Sequence, residues 1–255
     1  MKTRKIITGL FFLAFTMIMQ GQINSKGIIS PQVVKINPVS KKCMPLNIKT
    51  TENILRDKVG RTLKIYMDRD YGYVEIMGKR QNIRFNEFKV KKPAHNWLYF
   101  LNDVKSEITR VKYADKKFVL TVKFEKERNE IKGKCPGCRV GKDKRAPDIN
   151  WEDPKLKIEL VPVAYNGSFT FEVKRVRLLG KFKMNGPMQK IFPQIIAFFK
   201  SAIRKKIKNQ IKAVLNRDAV KNMLAEAFKN EVKNLGLGTV KRIDMSRDNI
   251  YLCNY

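Results

Sequence analysis

A long helical pattern lies towards the C-terminal end of the chain. Large apolar residues recur there at steps of three and four, which places them on one side of an α-helix. They are Ile191, Ile195, Ile196, Phe199, Ile203, Ile207, Ile211, Val214 and Leu215. Such a stripe, about 36 Å long at 1.5 Å per residue, needs an equally long apolar surface to cover it. A curved sheet, a partner, a lipid or a membrane surface can supply that cover.

Alternating apolar and polar residues predict β-strands upstream of this helix. The apolar positions are Phe118, Leu120, Val122 and Phe124, then Leu156, Ile158 and Leu160, and then Phe169, Phe171 and Val173. The alternation slips by one residue at Lys174–Arg175, and again between Phe85 and Phe88. Such a slip predicts a β-bulge, which bends and twists a sheet.

The helical pattern changes phase near Asn216. Beyond it, a new apolar side is set by Val220, Met223, Leu224, Ala227 and Phe228. We therefore expect a kink or a stop at Asn216–Asp218, with the second segment ending near Gly236. The predicted fold class is α+β: a strongly curved antiparallel β-sheet wrapped around a long, kinked C-terminal amphipathic helix.

Four features follow this order along the chain: bent strands, a turn at Gly186–Pro187, the run IFPQIIAFFKSAIRKKIKNQIKAVLN and a returning segment TVKRIDMSRDNIYL. The arrangement resembles the tubular lipid-binding superfamily, which includes bactericidal/permeability-increasing protein and lipopolysaccharide-binding protein. The likeness covers about the last hundred residues well and the middle of the chain by pattern. The first long helix of that family is represented only by the short candidate TTENILRDKVGRTLKIYM.

The resemblance implies an apolar tunnel that holds acyl chains. Its predicted lining combines strand and helix residues: Phe118, Leu120, Val122, Phe124, Phe169, Phe171, Val173, Ile196, Phe199, Ile203 and Ile207. The same stripe is also typical of an ordinary hydrophobic core. Both interpretations stay open at this point.

The chain is strongly basic, with a formal net charge of +31. Such an excess favours binding to polyanions, including phospholipid or lipopolysaccharide head groups, acidic glycans and nucleic acid. On the long helix, Arg204, Lys205, Lys206 and Lys208 are the candidate binding residues for an anionic head group. The alternative is a merely solvated helix face. Physiological binding to nucleic acid is not expected, because the chain lacks a recognition helix, a zinc finger and RNA-binding aromatic motifs.

The N-terminal residues predict export from the cytoplasm. Lys2, Arg4 and Lys5 precede an apolar run from Ile6 to Met19, and Gly21 is a small residue suited to a cleavage site. We interpret 1–21 as a signal peptide and 22–255 as a single tubular lipid-binding-like domain, secreted or periplasmic. The alternative is an uncleaved anchor. Within the domain, residues 133–148 are predicted to form a long basic loop.

The cysteines favour structural disulfides. In an oxidising compartment four cysteines pair in one of three ways, and we favour Cys135–Cys138 with Cys43–Cys253. Cys135-Pro136-Gly137-Cys138 also supplies two of the four ligands of a structural zinc site, so a metal site is the competing interpretation. We predict no metal and no cofactor.

Evidence for catalysis is weak. His95 is the only histidine, and the acids Asp148, Glu152 and Asp153 follow one another in a segment that is predicted to be a loop. Paired carboxylates could serve a glycosidase, but turn formation explains them equally well. The expected function is therefore non-catalytic binding or carriage of a lipid or other amphipath, with a cationic surface for anionic head groups. The alternatives are a cationic protein that binds or disrupts membranes without holding a lipid, and a secreted hydrolase.

Overall fold

The computed structural model describes residues 41–91, 96–125, 130–136, 146–184 and 193–255. The predicted signal peptide, His95, Cys138 and the Gly186–Pro187 turn lie outside these residues. The N-terminal strands are β1 (Cys43–Asn47), β2 (Lys64–Met67), β3 (Gly72–Ile76), β4 (Lys79–Ile83), β5 (Phe88–Lys91), β6 (Asn96–Leu101) and β7 (Val104–Ala114). The later strands are β8 (Lys117–Phe124), β9 (Ile131–Lys134), β10 (Ile149–Tyr165), β11 (Ser168–Met184), β12 (Arg242–Met245) and β13 (Asn249–Cys253).

The helices are α1 (Ile48–Ile54), which continues as a π-helix (Leu55–Gly60), then α2 (Pro193–Leu215) and α3 (Asp218–Asn234). Asn47 caps α1, because its side-chain oxygen accepts hydrogen bonds from the backbone N–H groups of Lys49 (2.8 Å) and Thr50 (3.3 Å). The short helix candidate is therefore helical only in its first part, and its end, from Lys64, is strand β2.

Strands β2 to β11 form one strongly curved antiparallel sheet that branches at β10. On one side β10 pairs with β11 along its whole length. On the other side it pairs with β8 over Lys155–Leu160 and with β9 at Ile149. One arm continues as β8-β7-β2-β3-β4 and the other as β9-β6-β5. The predicted α+β class with a curved antiparallel sheet is thus confirmed.

The two arms curl towards each other. Their outermost strands, β4 and β5, are joined by residues 84–87 alone, which at full extension hold the strand ends within about 18 Å. The slip between Phe85 and Phe88 therefore marks this connection between strands, and the predicted bulge at that place is wrong.

The bulge predicted at Lys174–Arg175 is confirmed. Glu159 on β10 pairs with Arg175 while the next residue pairs with Val173, so Lys174 is the additional residue of β11. A second register shift lies between Glu152 and Lys155, where the sheet branches. Pro154 lies within that shift, which suits a residue without an N–H to donate.

The prediction of a single long, kinked helix is wrong in detail. The structure has two helices, α2 and α3, with the break at Asn216–Arg217. Arg217 has extended backbone angles (φ −65°, ψ 148°), so the chain leaves the helical conformation before α3 begins. The predicted end is confirmed, because α3 stops at Asn234 just before Gly236, which has a φ of +67°. The sequence located the break, but α2 and α3 are separate elements.

The returning segment does not rejoin the main sheet. It folds into the hairpin β12–β13, and β13 pairs with β1 in a separate three-stranded sheet. Cys43 and Cys253 are directly opposite in this pairing, with 4.1 Å between their Cα atoms, and they form a disulfide as predicted. Cys135 is also disulfide-bonded, but its pairing with Cys138 stays a prediction.

Candidate functional site

The inner side of α2 packs against the concave face of the main sheet. Phe199 is 2% exposed, and Ile203 and Ile207 are fully buried. The ring of Phe199 lies 5.2 Å from the ring of Trp97 on β6, centroid to centroid. Burying side chains of this size stabilises the folded state by about 1.5–3 kcal/mol each. The apolar stripe therefore fixes which side of α2 faces away from the protein.

The outward side of α2 combines one aromatic ring with positive charges. Phe198, Lys205 and Lys212 follow at two-turn spacing, so they lie on one line along the helix. All three are exposed, Phe198 by 65%. The helix contains no Asp or Glu, and within the described chain neither lysine has a carboxylate at ion-pair distance. We call this line, with its flanking cations, the α2 cationic face.

The four predicted head-group residues do not all point the same way. Lys205 lies on the outward line, with Lys206 and Lys208 on its two flanks. Arg204 instead turns towards β11, where it donates a 3.1 Å hydrogen bond to the carbonyl of Gly180 and lies 5.0 Å from the ring of Phe182. The arginine is thus partly engaged by the protein itself.

Two residues of the α2 cationic face were missed by the predicted set, namely Phe198 and Lys212. Their two-turn spacing from Lys205 was available in the sequence. It was outweighed by the cluster of four cations in the five positions 204–208, which spreads around the helix and does not follow one line.

The residues predicted to line a lipid tunnel belong to one continuous hydrophobic core. Ten of these side chains are at most 4% exposed to solvent. They are Phe118, Leu120, Val122, Phe124, Phe169, Phe171, Val173, Phe199, Ile203 and Ile207. The side chain of Ile196 lies outside the described residues. Phe171 packs ring against ring with Phe118 (5.5 Å) and Phe228 (5.3 Å). These are the contacts of a filled core.

An open groove of about 740 Å³ lies at one end of this core. It is bounded by the turn between β10 and β11, by α3 and by the segment that follows α3. Its walls are lined by Gly167, Ser168, Phe169, Asn222, Ala225, Glu226, Lys229, Val232, Lys233, Gly236, Leu237 and Gly238. Phe169, a predicted tunnel residue that is itself buried, forms part of the wall of this groove. The volume lies within the usual range for small-molecule sites.

The acids considered for catalysis are engaged in the sheet. Glu152 and Asp153 lie in β10, with Asp148 directly before it, so the predicted loop is wrong for these two. Glu152 is ion-paired with Lys183 at 2.7 Å and Asp153 with Lys155 at 2.5 Å. The hydrogen bond from Lys155 holds the pKa of Asp153 below its ordinary value. For Asp153 this lowered pKa is the opposite of what a carboxyl kept protonated as a general acid requires.

The predicted basic loop is also shorter than expected, because Gly133 and Lys134 belong to β9. Among the described residues, no group of three or more His, Cys, Asp or Glu side chains is placed to hold a metal ion.

Comparison with known proteins gave no match: no protein-family model, no curated protein and no solved structure matches this chain. The resemblance to the tubular lipid-binding superfamily therefore stays a prediction. In the described part of the chain, none of the helices combines the length and apolar character needed to cross a membrane.

Proposed function

We propose that the protein binds anionic lipids or similar anionic amphipaths without catalysis, and that the α2 cationic face makes first contact. The observation that carries the proposal is the exposed line of Phe198, Lys205 and Lys212 on a helix that has no acid. An exposed aromatic ring beside unpaired lysines is the combination that adsorbs to anionic membrane surfaces. The predicted export by 1–21 belongs to the same proposal and would place the protein in the periplasm or outside the cell.

Attraction and insertion would act in sequence. The net charge of +31 draws the protein towards an anionic surface at long range. Near the surface each lysine contributes about 1 kcal/mol, and this contribution falls off within the screening length of the solution. Phe198 then leaves water for the head-group region, which adds about 1.5–3 kcal/mol if its ring becomes fully buried.

The test is binding to phosphatidylcholine vesicles with and without phosphatidylserine, measured by co-sedimentation. The variant changes Lys205, Lys206, Lys208 and Lys212 to Gln. We expect its affinity for anionic vesicles to fall at least tenfold, and wild-type binding to weaken as salt is added.

The matched control changes four exposed lysines elsewhere, Lys42, Lys79, Lys116 and Lys241, so the change in net charge is the same. Equal losses in the two variants would mean that total charge acts without a dedicated face. Equal wild-type binding to neutral and anionic vesicles would refute the proposal.

A second candidate function is carriage of a lipid within the protein. It is favoured by the groove of about 740 Å³, whose walls include the apolar side chains of Phe169, Val232 and Leu237. It also agrees with the tunnel that the resemblance to the tubular lipid-binding superfamily implies. Solvent extraction of the purified protein followed by lipid mass spectrometry separates the two functions, because stoichiometric co-purified lipid supports carriage. Its absence leaves surface binding alone.

A further inference from the structure

A second cationic surface covers the convex face of the main sheet. Strands β7, β8, β10 and β11 lie side by side there, and their pairing places outward residues in rows. The three rows are Lys112-Val119-Glu159-Arg175, Arg110-Thr121-Lys157-Arg177 and Ile108-Lys123-Lys155-Leu179. Neighbouring strands are about 4.8 Å apart and successive rows about 6.7 Å. The face is therefore a regular array of side chains in which cations predominate. We call it the sheet cationic face.

Part of this charge is neutralised within the array. Glu159 is ion-paired with Arg177 at 2.8 Å and with Lys117 at 3.2 Å. Lys155 is ion-paired with Asp153. The remaining cations of the rows have no carboxylate at ion-pair distance within the described chain: Arg110, Lys112, Lys123, Lys157 and Arg175. The sheet cationic face thus keeps a large positive excess.

Two exposed apolar residues lie in the third row. Ile108 is 44% exposed and Leu179 is 39% exposed, and they stand on either side of Lys123 and Lys155. The sheet cationic face therefore resembles the α2 cationic face in composition, because apolar side chains lie next to lysines, of which Lys123 has no carboxylate at ion-pair distance within the described chain. This composition suits an anionic lipid surface.

The two cationic faces lie on different sides of the core. The alternate residues of these strands face the core, among them Val122, Ile158 and Val176, and α2 covers the core from the other side. The helix alone is about 10 Å across, which exceeds the screening length of about 8 Å at physiological salt. Neutralising the charge of one face therefore changes the electrostatic potential at the other face only weakly.

We propose that the protein bridges two anionic lipid surfaces, one held by the α2 cationic face and one by the sheet cationic face. This inference rests on the proposed function for the first of the two contacts. Bridging follows from geometry, since a protein bound through one face still presents the other to solution.

The experiment measures light scattering of phosphatidylcholine vesicles containing phosphatidylserine as the wild-type protein is added. We expect scattering to rise as vesicles cross-link, to fall again when excess protein occupies every vesicle separately, and to be reversed by salt. The sheet variant is Arg110→Gln, Lys123→Gln and Lys157→Gln, and the helix variant is Lys205→Gln, Lys208→Gln and Lys212→Gln. The control with the same charge change is Lys42→Gln, Lys79→Gln and Lys241→Gln, three exposed lysines outside both faces and outside the groove. Circular dichroism and thermal melting establish that each variant is folded.

The expected result is that the sheet variant still co-sediments with vesicles but cross-links them at least fivefold less, while the control cross-links like wild type. Full cross-linking by the sheet variant would overturn the inference and would instead indicate self-association of the protein through other surfaces. Wild-type protein that binds but never cross-links would overturn bridging and leave the proposed function standing. Failure of the wild type to bind at all would refute both.

Discussion

At the scale of single residues, two neighbouring phenylalanines have opposite roles. Phe199 is 2% exposed and packs against Trp97, whereas Phe198, the preceding residue, is 65% exposed. A step of one residue turns the side chain by 100° around the helix, which is enough to move it from the core to solvent. Substituting the two residues one at a time therefore distinguishes the contribution of the core to stability from the contribution of the surface to binding.

We expect Phe199→Ala to lower the free energy of unfolding by about 3–5 kcal/mol, because it leaves a cavity beside Trp97. Phe198→Ala should change the free energy of unfolding by less than about 0.5 kcal/mol but weaken binding to anionic vesicles. Urea unfolding and vesicle co-sedimentation measure the two effects. Similar losses of stability in both variants would show that α2 is not seated as described.

Glu159 is a second informative residue, since it is a carboxylate with 5% exposure. Burial alone would raise its pKa, but the hydrogen bond from Lys117 and the charges of Lys117, Arg177 and Arg175 together lower it below the ordinary value of 4.5. Because the pKa is lower in the folded state, ionised Glu159 stabilises the fold at neutral pH. That stabilisation is lost as the pH falls through the folded pKa.

The prediction is that Glu159→Gln costs about 1–2 kcal/mol of unfolding free energy at pH 7, and that the difference from wild type shrinks below about pH 4.5. Urea unfolding over a pH series measures it. Glu172→Gln, at an exposed position of β11, is the control and should show no such trend. A difference that stays constant down to pH 3 would contradict the ionic role.

At the scale of elements, Asn216 links the break between α2 and α3 to the bulge of β11 by hydrogen bonds. Its side-chain oxygen accepts a 2.7 Å hydrogen bond from the backbone N–H of Val173, and its side-chain nitrogen donates a 3.1 Å bond to the carbonyl of the same residue. Val173 adjoins the additional residue Lys174, where regular pairing is interrupted. The side chain of Asn216 thus supplies hydrogen-bond partners to the backbone beside the bulge. The same contact holds the chain at the C-terminal end of α2.

Replacing Asn216 by Ala should therefore leave both backbone groups of Val173 without these partners. We expect a loss of about 1–3 kcal/mol in unfolding free energy. Asn209→Ala, on the exposed side of α2, is the matched control and should be neutral or slightly stabilising, because alanine is the better helix former. Equal effects of the two changes in thermal melting would refute the coupling between helix break and bulge.

At the scale of the whole molecule, the disulfide between Cys43 and Cys253 ties together positions 210 residues apart. It fastens β1 to β13 and so holds the small sheet together. A bond that closes so long a loop removes much of the freedom of the unfolded chain.

Cys253→Ser combined with Cys43→Ser should lower the free energy of unfolding by about 5 kcal/mol in the chain-entropy model. Cys135→Ser combined with Cys138→Ser should cost less, because the predicted bond would close only a short loop. Thermal melting compares the two pairs, and thiol titration of the wild type should find no free cysteine. A larger loss from the second pair would contradict this order.

The sequence by itself determined the features that depend on local periodicity. The helical stripe, the alternating strands, the bulge at Lys174 and the helix break at Asn216 are all visible in the order of apolar residues, because each side chain that faces the core must be apolar. The pairing of Cys43 with Cys253 was the favoured choice among three and is confirmed.

Tertiary structure decided what depends on residues far apart in the chain. The slip between Phe85 and Phe88 looks like a bulge in the sequence, but in the structure Phe85 lies in the connection between β4 and β5, and Phe88 begins β5. Whether the apolar stripe of α2 lines a tunnel or a core depends on packing, and in the structure Phe199 of that stripe packs against Trp97. The sheet cationic face could not be predicted, because its rows are set by the register between β7, β8, β10 and β11. Register is a long-range property, and only the folded chain brings those cations into one array.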